Sequence, residues 1–149
     1  MYHIKSTIND IQRIVELLAE DEFGASREVF SQQIDPSYLE AFKLIDSDPN
    51  QYLMAVEQDG VVVATCHLTI MPSLTFQGST RMQIEAVRVS KDLRGQGIGE
   101  WMINQAKLYG ESRGASLLQL STNKERPKAK HFYEKLGFQA SHEGMKMRV

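Results

Sequence analysis

Residues 94–99 read Arg-Gly-Gln-Gly-Ile-Gly, with Gly95, Gly97 and Gly99 set between a strand-like run and a helix-like run. The first N–H groups of a helix carry partial positive charge and point outward. A glycine-rich turn leading into one therefore lets anionic oxygens approach the backbone closely. Phosphate is the natural ligand for such a loop, and spacing separates the phosphate-binding classes. A nucleotide-triphosphatase loop needs G-x-x-x-x-G-K-[ST], but no Lys-Ser or Lys-Thr follows these glycines. A dinucleotide fingerprint needs G-x-G-x-x-G after a βα unit. Here Glu100 stands where its third glycine belongs, and a hairpin pattern precedes the loop.

A third class fits. The stretch Arg94 to Gly99 resembles the R/Q-x-x-G-x-G/A loop of the GNAT superfamily of acyl-CoA-dependent N-acetyltransferases. The resemblance starts at about Ile84, runs through "IEAVRVS", the loop and its helix, and resumes in "LLQLSTNKERPKAKHFYEKLGF". Lys91 departs from it, where many members have proline between strand and loop.

The resemblance implies acetyl-CoA as cosubstrate, with the coenzyme A pyrophosphate on the backbone amides of Arg94, Gly95, Gln96, Gly97, Ile98, Gly99 and Glu100. It implies a pantetheine arm held between two splayed parallel strands, 84–90 and 116–122, on the backbone of Val87 and Val89. The Val87 N–H would polarise the thioester carbonyl, which becomes an oxyanion in the tetrahedral intermediate. Glu85, two residues earlier, is the general base of this reading, directly or through water. Tyr133 matches the tyrosine that hydrogen-bonds or protonates the coenzyme A sulfur, and Asn123 the asparagine that binds pantetheine or orders that tyrosine. Arg126, with Lys128 and Lys130, could face the adenosine phosphates. Each has a plainer reading beside it. Glu85 could be a solvated strand residue, Tyr133 part of an apolar helix stripe, Asn123 a turn former and the basic residues a solvated face.

These residues need elements to hold them. Residues 2–6 read as a strand, and a helix capped by Asn9 or Asp10 follows, with Ile11, Ile14, Val15 and Leu18 at i, i+3, i+4, i+7. The stretch 22–34 has no clear period, and Asp35-Pro36 opens a second helix carrying Tyr38, Phe42 and Ile45. "QYLMAVE" and "VVVATCHLTI", joined by Gln58-Asp59-Gly60, predict a hairpin. In "TRMQIEAVRVS", simple alternation places Gln83, Glu85, Val87 and Val89 on one face and Met82, Ile84, Ala86 and Arg88 on the other. Strand, crossover helix (Ile98, Trp101, Met102, Ala106, Tyr109) and the strand "SLLQLST" imply one parallel pair. A helix from Pro127 ends at Gly137, and "FQASHEGMKMRV" reads as a closing hairpin with an edge that a second copy could use. The fold class is therefore α/β of the α+β type: a GNAT-like, mostly antiparallel central sheet with a parallel splayed strand pair and about four helices.

The chain of 149 residues suits a single domain, 1–149, that needs no disulfide or metal. Cys66 has no partner for an internal disulfide, inside an apolar run it reads as a small buried hydrophobe, and no signal-peptide pattern opens the chain. A reducing cytoplasm is the expected setting. With 17 basic against 19 acidic residues there is no global field for nucleic acid, and no apolar run approaches membrane length. His3, His67, His131 and His142 lack metal-ligand spacing, so no metal is expected. The expected function is an N-acetyltransferase acting on a primary amine of a small molecule or protein. The alternatives are a non-catalytic acyl-CoA-binding regulatory module and, disfavoured by charge, a DNA-binding regulator. Acceptor specificity falls in 22–38 and 71–79, with Phe23, Phe30 and Tyr38 as candidate lining residues.

Overall fold

Asp59 and Gly60 both take positive φ (52° and 77°), which closes β2 (Gln51–Gln58) and β3 (Val61–Met71) into the expected antiparallel hairpin. In the computed structural model, which describes all 149 residues, that hairpin sits at the centre of one five-stranded sheet of order β1-β2-β3-β4-β5. β1 (Tyr2–Lys5) and β4 (Thr80–Val89) flank it antiparallel, and β5 (Ala115–Leu120) lies parallel to β4.

Helices cover both faces. α1 (Ile11–Ala19) and α3 (Pro36–Ser47) bury Ile11, Ile14, Val15, Leu17 and Phe42 against Ala55 and Val62. On the other face α5 (Ile98–Ser112) sets Ile98, Met102, Ile103 and Ala106 on Met54, Cys66, Leu68, Met82 and Ile84, with α6 (Pro127–Lys135) beside it. Two short pieces complete the helices. α2 (Glu22–Arg27) forms in the stretch without a period, and α4 (Thr75–Gly78) is a single turn with Phe76 and Gln77 at positive φ. No helix is long and apolar enough to cross a membrane.

Two local expectations fail. The alternation along β4 is broken by a β-bulge: Thr65 pairs with Arg88 but His67 pairs with Glu85, so Ala86 and Val87 together oppose Cys66. Ala86 takes φ 52° there. The extra residue reverses the faces of everything after it. Val87 and Val89 pack into the same cluster as Met82 and Ile84, while Arg88 turns to the α1 side and Glu85 keeps the side of His67. Glu85 and Val87 therefore do not share a face. The closing hairpin also fails: residues 138–149 form no strand, and β5 ends the sheet.

One carboxylate ties the helices to the strands. Asp21 caps α2 by accepting the Gly24 N–H at 2.6 Å, accepts from Arg126 Nη1 at 2.7 Å and lies 3.8 Å from Arg88 Nε. Burial pushes its pKa up, but the Gly24 N–H, the Arg126 bond and the Arg88 charge outweigh burial and hold it below the ordinary carboxylate value. Gly24 is required by space, because a Cβ there would lie 1.8 Å from the Leu18 carbonyl oxygen.

Gly24→Ala should therefore destabilise the fold by about 2 kcal/mol or more in chemical denaturation. A depressed carboxylate stabilises fully above its unfolded pKa of about 3.9 and loses that contribution as pH falls through its folded pKa. Asp21→Asn should thus lower the melting temperature at pH 7, with the gap to wild type closing below about pH 4; a gap independent of pH would contradict the tie. Cys66 is fully buried and its thiol is pushed up to about 12, so the native protein should not react with a thiol reagent until it is unfolded.

Candidate active site

The parallel ladder between β4 and β5 runs only from Thr80↔Ala115 to Ile84↔Leu120. On the α1 side it is laced by Gln119 Nε2 donating to Gln83 Oε1 at 2.8 Å, with Arg81 Nη1 at 3.5 Å from Gln119 Oε1. Past that point β4 continues to Val89 while the chain leaves β5, so a gap opens between them. Antiparallel pairing uses the polar groups of alternate residues. Here Ser90 donates to the Val63 carbonyl at 2.8 Å and Arg88 is registered on Thr65, so Val87 and Val89 turn their N–H groups to the gap. Their carbonyls carry arginine caps: Arg88 Nη1 donates to Val87 O (2.8 Å) and Arg94 Nε to Val89 O (3.1 Å).

The glycine loop lies at the end of this gap. Lys91 N–H donates to Glu20 Oε2 at 2.9 Å and Leu93 N–H to Ser90 O at 2.9 Å, which pins its start. From Arg94 to Glu100 no backbone N–H donates to another group of the chain, and Trp101, bonded to Gly97 O at 3.0 Å, is the first that does. α5 has no side-chain cap, so these seven donors and the helix dipole face outward together. The glycines divide the work. Gly95 and Gly97 sit at φ 77° and 84° with open space at their Cβ positions, so backbone conformation selects them. Gly99 is selected by packing, since a Cβ there would lie 3.3 Å from the Phe132 ring and 3.6 Å from Val89.

Tyr133 enters from α6 on the α5 side, edge-on to Phe132 and Phe138, and its hydroxyl makes no hydrogen bond to the protein. Burial raises its pKa above the ordinary phenol value against the opposing charges of Arg88 and Arg126, so the hydroxyl keeps its proton. Glu85 is exposed on the α1 side, opposite half-buried His67. Burial lowers the His67 pKa against the pull of Glu85, and its Nε2 lies 2.6 Å from Gln51 Oε1.

Asn123 forms the turn before α6: its Oδ1 accepts the Glu125 N–H and its carbonyl the Arg126 N–H, both at 2.9 Å. Arg126 is held by Asp21 and lies over the Phe23 ring at 4.5 Å. Lys128 is exposed and Lys130 pairs with Glu134 at 3.9 Å.

A cavity of about 140 Å³ opens beside the bulge, lined by Ile11, Ile14, Tyr38, Leu53, His67 and Ala86 among others. Of the aromatic residues expected at an acceptor pocket, only Tyr38 lines it. Phe23 serves Arg126, Phe30 is exposed, and the segment 71–79 stays outside it. The sequence reading missed the Asp21–Arg88–Arg126 cluster and the place of His67. The cluster's members lie 67 and 105 positions apart from Asp21 (21 to 88 and 21 to 126), and no local pattern joins them.

The chain is similar to known proteins in sequence and in fold. The model of the Acetyltransferase (GNAT) family matches residues 11–138. A structure described as a transcriptional regulator from Bacillus halodurans C-125 superposes with TM-score 0.96 at 41% identity, covering 99% of each chain. A glucosamine 6-phosphate N-acetyltransferase of Trypanosoma brucei brucei is 33% identical over 88 residues, 59% of this chain and 58% of that one. An aminoalkylphosphonate N-acetyltransferase of Salmonella typhimurium (strain LT2) is 32% identical over 95 residues, 64% and 61%. The chain spans about six tenths of the length of these two curated relatives. With the loop, the strand gap and a family match over most of its length, the chain belongs to the GNAT acetyltransferase family.

Proposed function

We propose that the chain is an N-acetyltransferase that moves an acetyl group from acetyl-CoA to a primary amine. The observation that carries this reading is the run of seven unpartnered amides, Arg94 to Glu100, placed at the end of the gap where Val87 and Val89 present free N–H groups. An anion with several oxygens fits the first, and an amide-bearing arm fits the second. Asn123 adds a side-chain Nδ2 with no partner in the protein, and Arg126 adds positive charge that acts on Tyr133. Acetyl-CoA supplies the activated acyl group, and the protein's residues do the rest.

The Val87 N–H stabilises negative charge developing on the acyl oxygen. Glu85, beside the cavity at Ala86, takes a proton from the attacking amine, directly or through water. The amine nitrogen bonds to the acyl carbon, the carbon–sulfur bond breaks, and the Tyr133 hydroxyl gives its proton to the departing sulfur. The bulge supports this division, since it puts Glu85 on the acceptor side and the Tyr133 packing cluster on the other. The cavity lining suits an amine with a small apolar body. The two curated relatives are named for phosphate- and phosphonate-bearing amines, so both kinds belong in an acceptor panel.

A second reading is favoured by the Bacillus halodurans structure described as a transcriptional regulator: an acyl-CoA-binding regulatory module without turnover. Coenzyme release, followed with a thiol reagent across the amine panel, separates the two. Acceptor-dependent release is expected; tight acetyl-CoA binding with no release from any amine would support the module. Tyr133→Phe should lower kcat roughly 10- to 100-fold while keeping acetyl-CoA affinity, because a thiolate with pKa about 8.5 leaves readily even without an acid. Glu85→Gln should lower kcat roughly 100-fold while keeping acetyl-CoA affinity. An unchanged rate in either variant would remove that residue's role.

A further inference from the structure

His67 stands on the α1 side of the sheet with one ring nitrogen engaged and the other free. It lines the cavity of about 140 Å³ beside the bulge, together with Tyr38, Leu53 and Ala86. Its Nε2 lies 2.6 Å from Gln51 Oε1, and the same oxygen accepts the Thr69 hydroxyl at 3.0 Å. A carbonyl oxygen accepts and does not donate, so Nε2 carries the hydrogen and Nδ1 the lone pair. That Nδ1 has no partner in the protein and is not sealed from solvent.

The neighbours of the ring keep the lone pair available. In the β3–β4 register His67 stands opposite Glu85, a pairing that sets Cβ atoms about 5 Å apart on one face. Beyond the bulge on that face comes Arg88, whose charge is engaged by Asp21. Tyr38 of α3 is the other titratable group at the cavity, while β2 presents Gln51 and Leu53, and α1 only aliphatic side chains. Burial lowers the His67 pKa against the pull of Glu85, so the ring is neutral at pH 7.

A primary amine reaches the site as an ammonium ion with three hydrogens on nitrogen and leaves as an amide with one. Two protons must leave that nitrogen, and Glu85 accounts for one. We propose that His67 takes the first, from the ammonium onto Nδ1, and that Glu85 takes the second as the nitrogen bonds to the acyl carbon. The assignment rests on the N-acetyltransferase reading. The apolar cavity wall favours the neutral amine over the ammonium, and imidazole is the side chain best matched to proton transfer at neutral pH. Both protons pass to water, Tyr133 regains one after protonating the sulfur, and each turnover releases one net proton. Gln51 is a positioning residue, because by holding the Nε2 hydrogen it keeps the lone pair on Nδ1.

Long-range proton–nitrogen-15 spectra of the wild-type imidazoles, with His67 assigned through its own backbone amide, should show the Nε2–H tautomer at neutral pH. An Nδ1–H tautomer would overturn the proposal whatever the activity, since that nitrogen would have no lone pair to offer. Coenzyme release is followed across pH with whichever of 2-phenylethylamine, aminomethylphosphonate and glucosamine 6-phosphate reacts fastest. Wild-type kcat/KM should be level between about pH 6.5 and the amine's own pKa, because the ammonium itself is used. His67→Gln should lower it roughly 100-fold at neutral pH and leave acetyl-CoA affinity unchanged. The variant's kcat/KM should then climb about tenfold per pH unit towards the amine's pKa, because only amine already deprotonated in solution reacts. A variant profile parallel to the wild type's would overturn the assignment and leave the transferase reading standing. No acceptor-dependent release from the wild type would overturn both.

Discussion

The left-handed backbone of Ala86 is the constraint on which the rest of the site depends. A non-glycine residue in that region costs roughly 1–2 kcal/mol, and it is held there by packing on either side. Met82 and Ile84 before the bulge, and Val87 and Val89 after it, all sit in one apolar layer under α5. An unbulged β4 would have put Val87 and Val89 on the α1 face and Arg88 in the core. The bulge lets one strand stay paired with β3 along its length, leave β5 after Ile84, and present Glu85 and Val87 to opposite sides of the sheet.

The gap alone would be an unfilled groove in the sheet. It becomes a site because separate elements are fastened around it by polar groups with defined partners. Asp21 joins the α1–α2 turn to Arg88 of β4 and Arg126 at the start of α6, and Glu20 holds the Lys91 amide ahead of the glycine loop. The loop itself is left with unpaired donors. A run of seven such N–H groups is unusual in a folded chain, where most backbone donors find partners. Their alignment with the α5 dipole and with the free edge of β4 gives the region one chemical character, a row of outward-facing N–H donors.

Much of this was legible in sequence. The four longer helices followed from apolar spacing and caps such as Asp35-Pro36, the hairpin from Asp59-Gly60, and the parallel step from strand–helix–strand order, while α2 and α4 carried no such pattern. The loop's glycines marked a turn of special backbone conformation, and the structure adds that Gly99 is selected by packing against Phe132 and Val89. The bulge was not legible, because a two-residue period reads straight through a single inserted residue and Ala86 carries no turn signal. The Asp21 cluster was invisible for want of any local relation among its members. The C-terminal segment has an alternating, strand-like pattern, but it forms no strand and the expected closing hairpin is absent.

The central claim is that the seven amides and the free β4 edge form one seat for coenzyme A. Amide chemical shifts of the nitrogen-15-labelled protein, followed as coenzyme A is added, test it most directly. The account predicts that the largest shifts fall on residues 94–100 together with Val87 and Val89, and that they titrate with a single dissociation constant. Shifts confined to other surfaces, or none at saturating coenzyme, would contradict it.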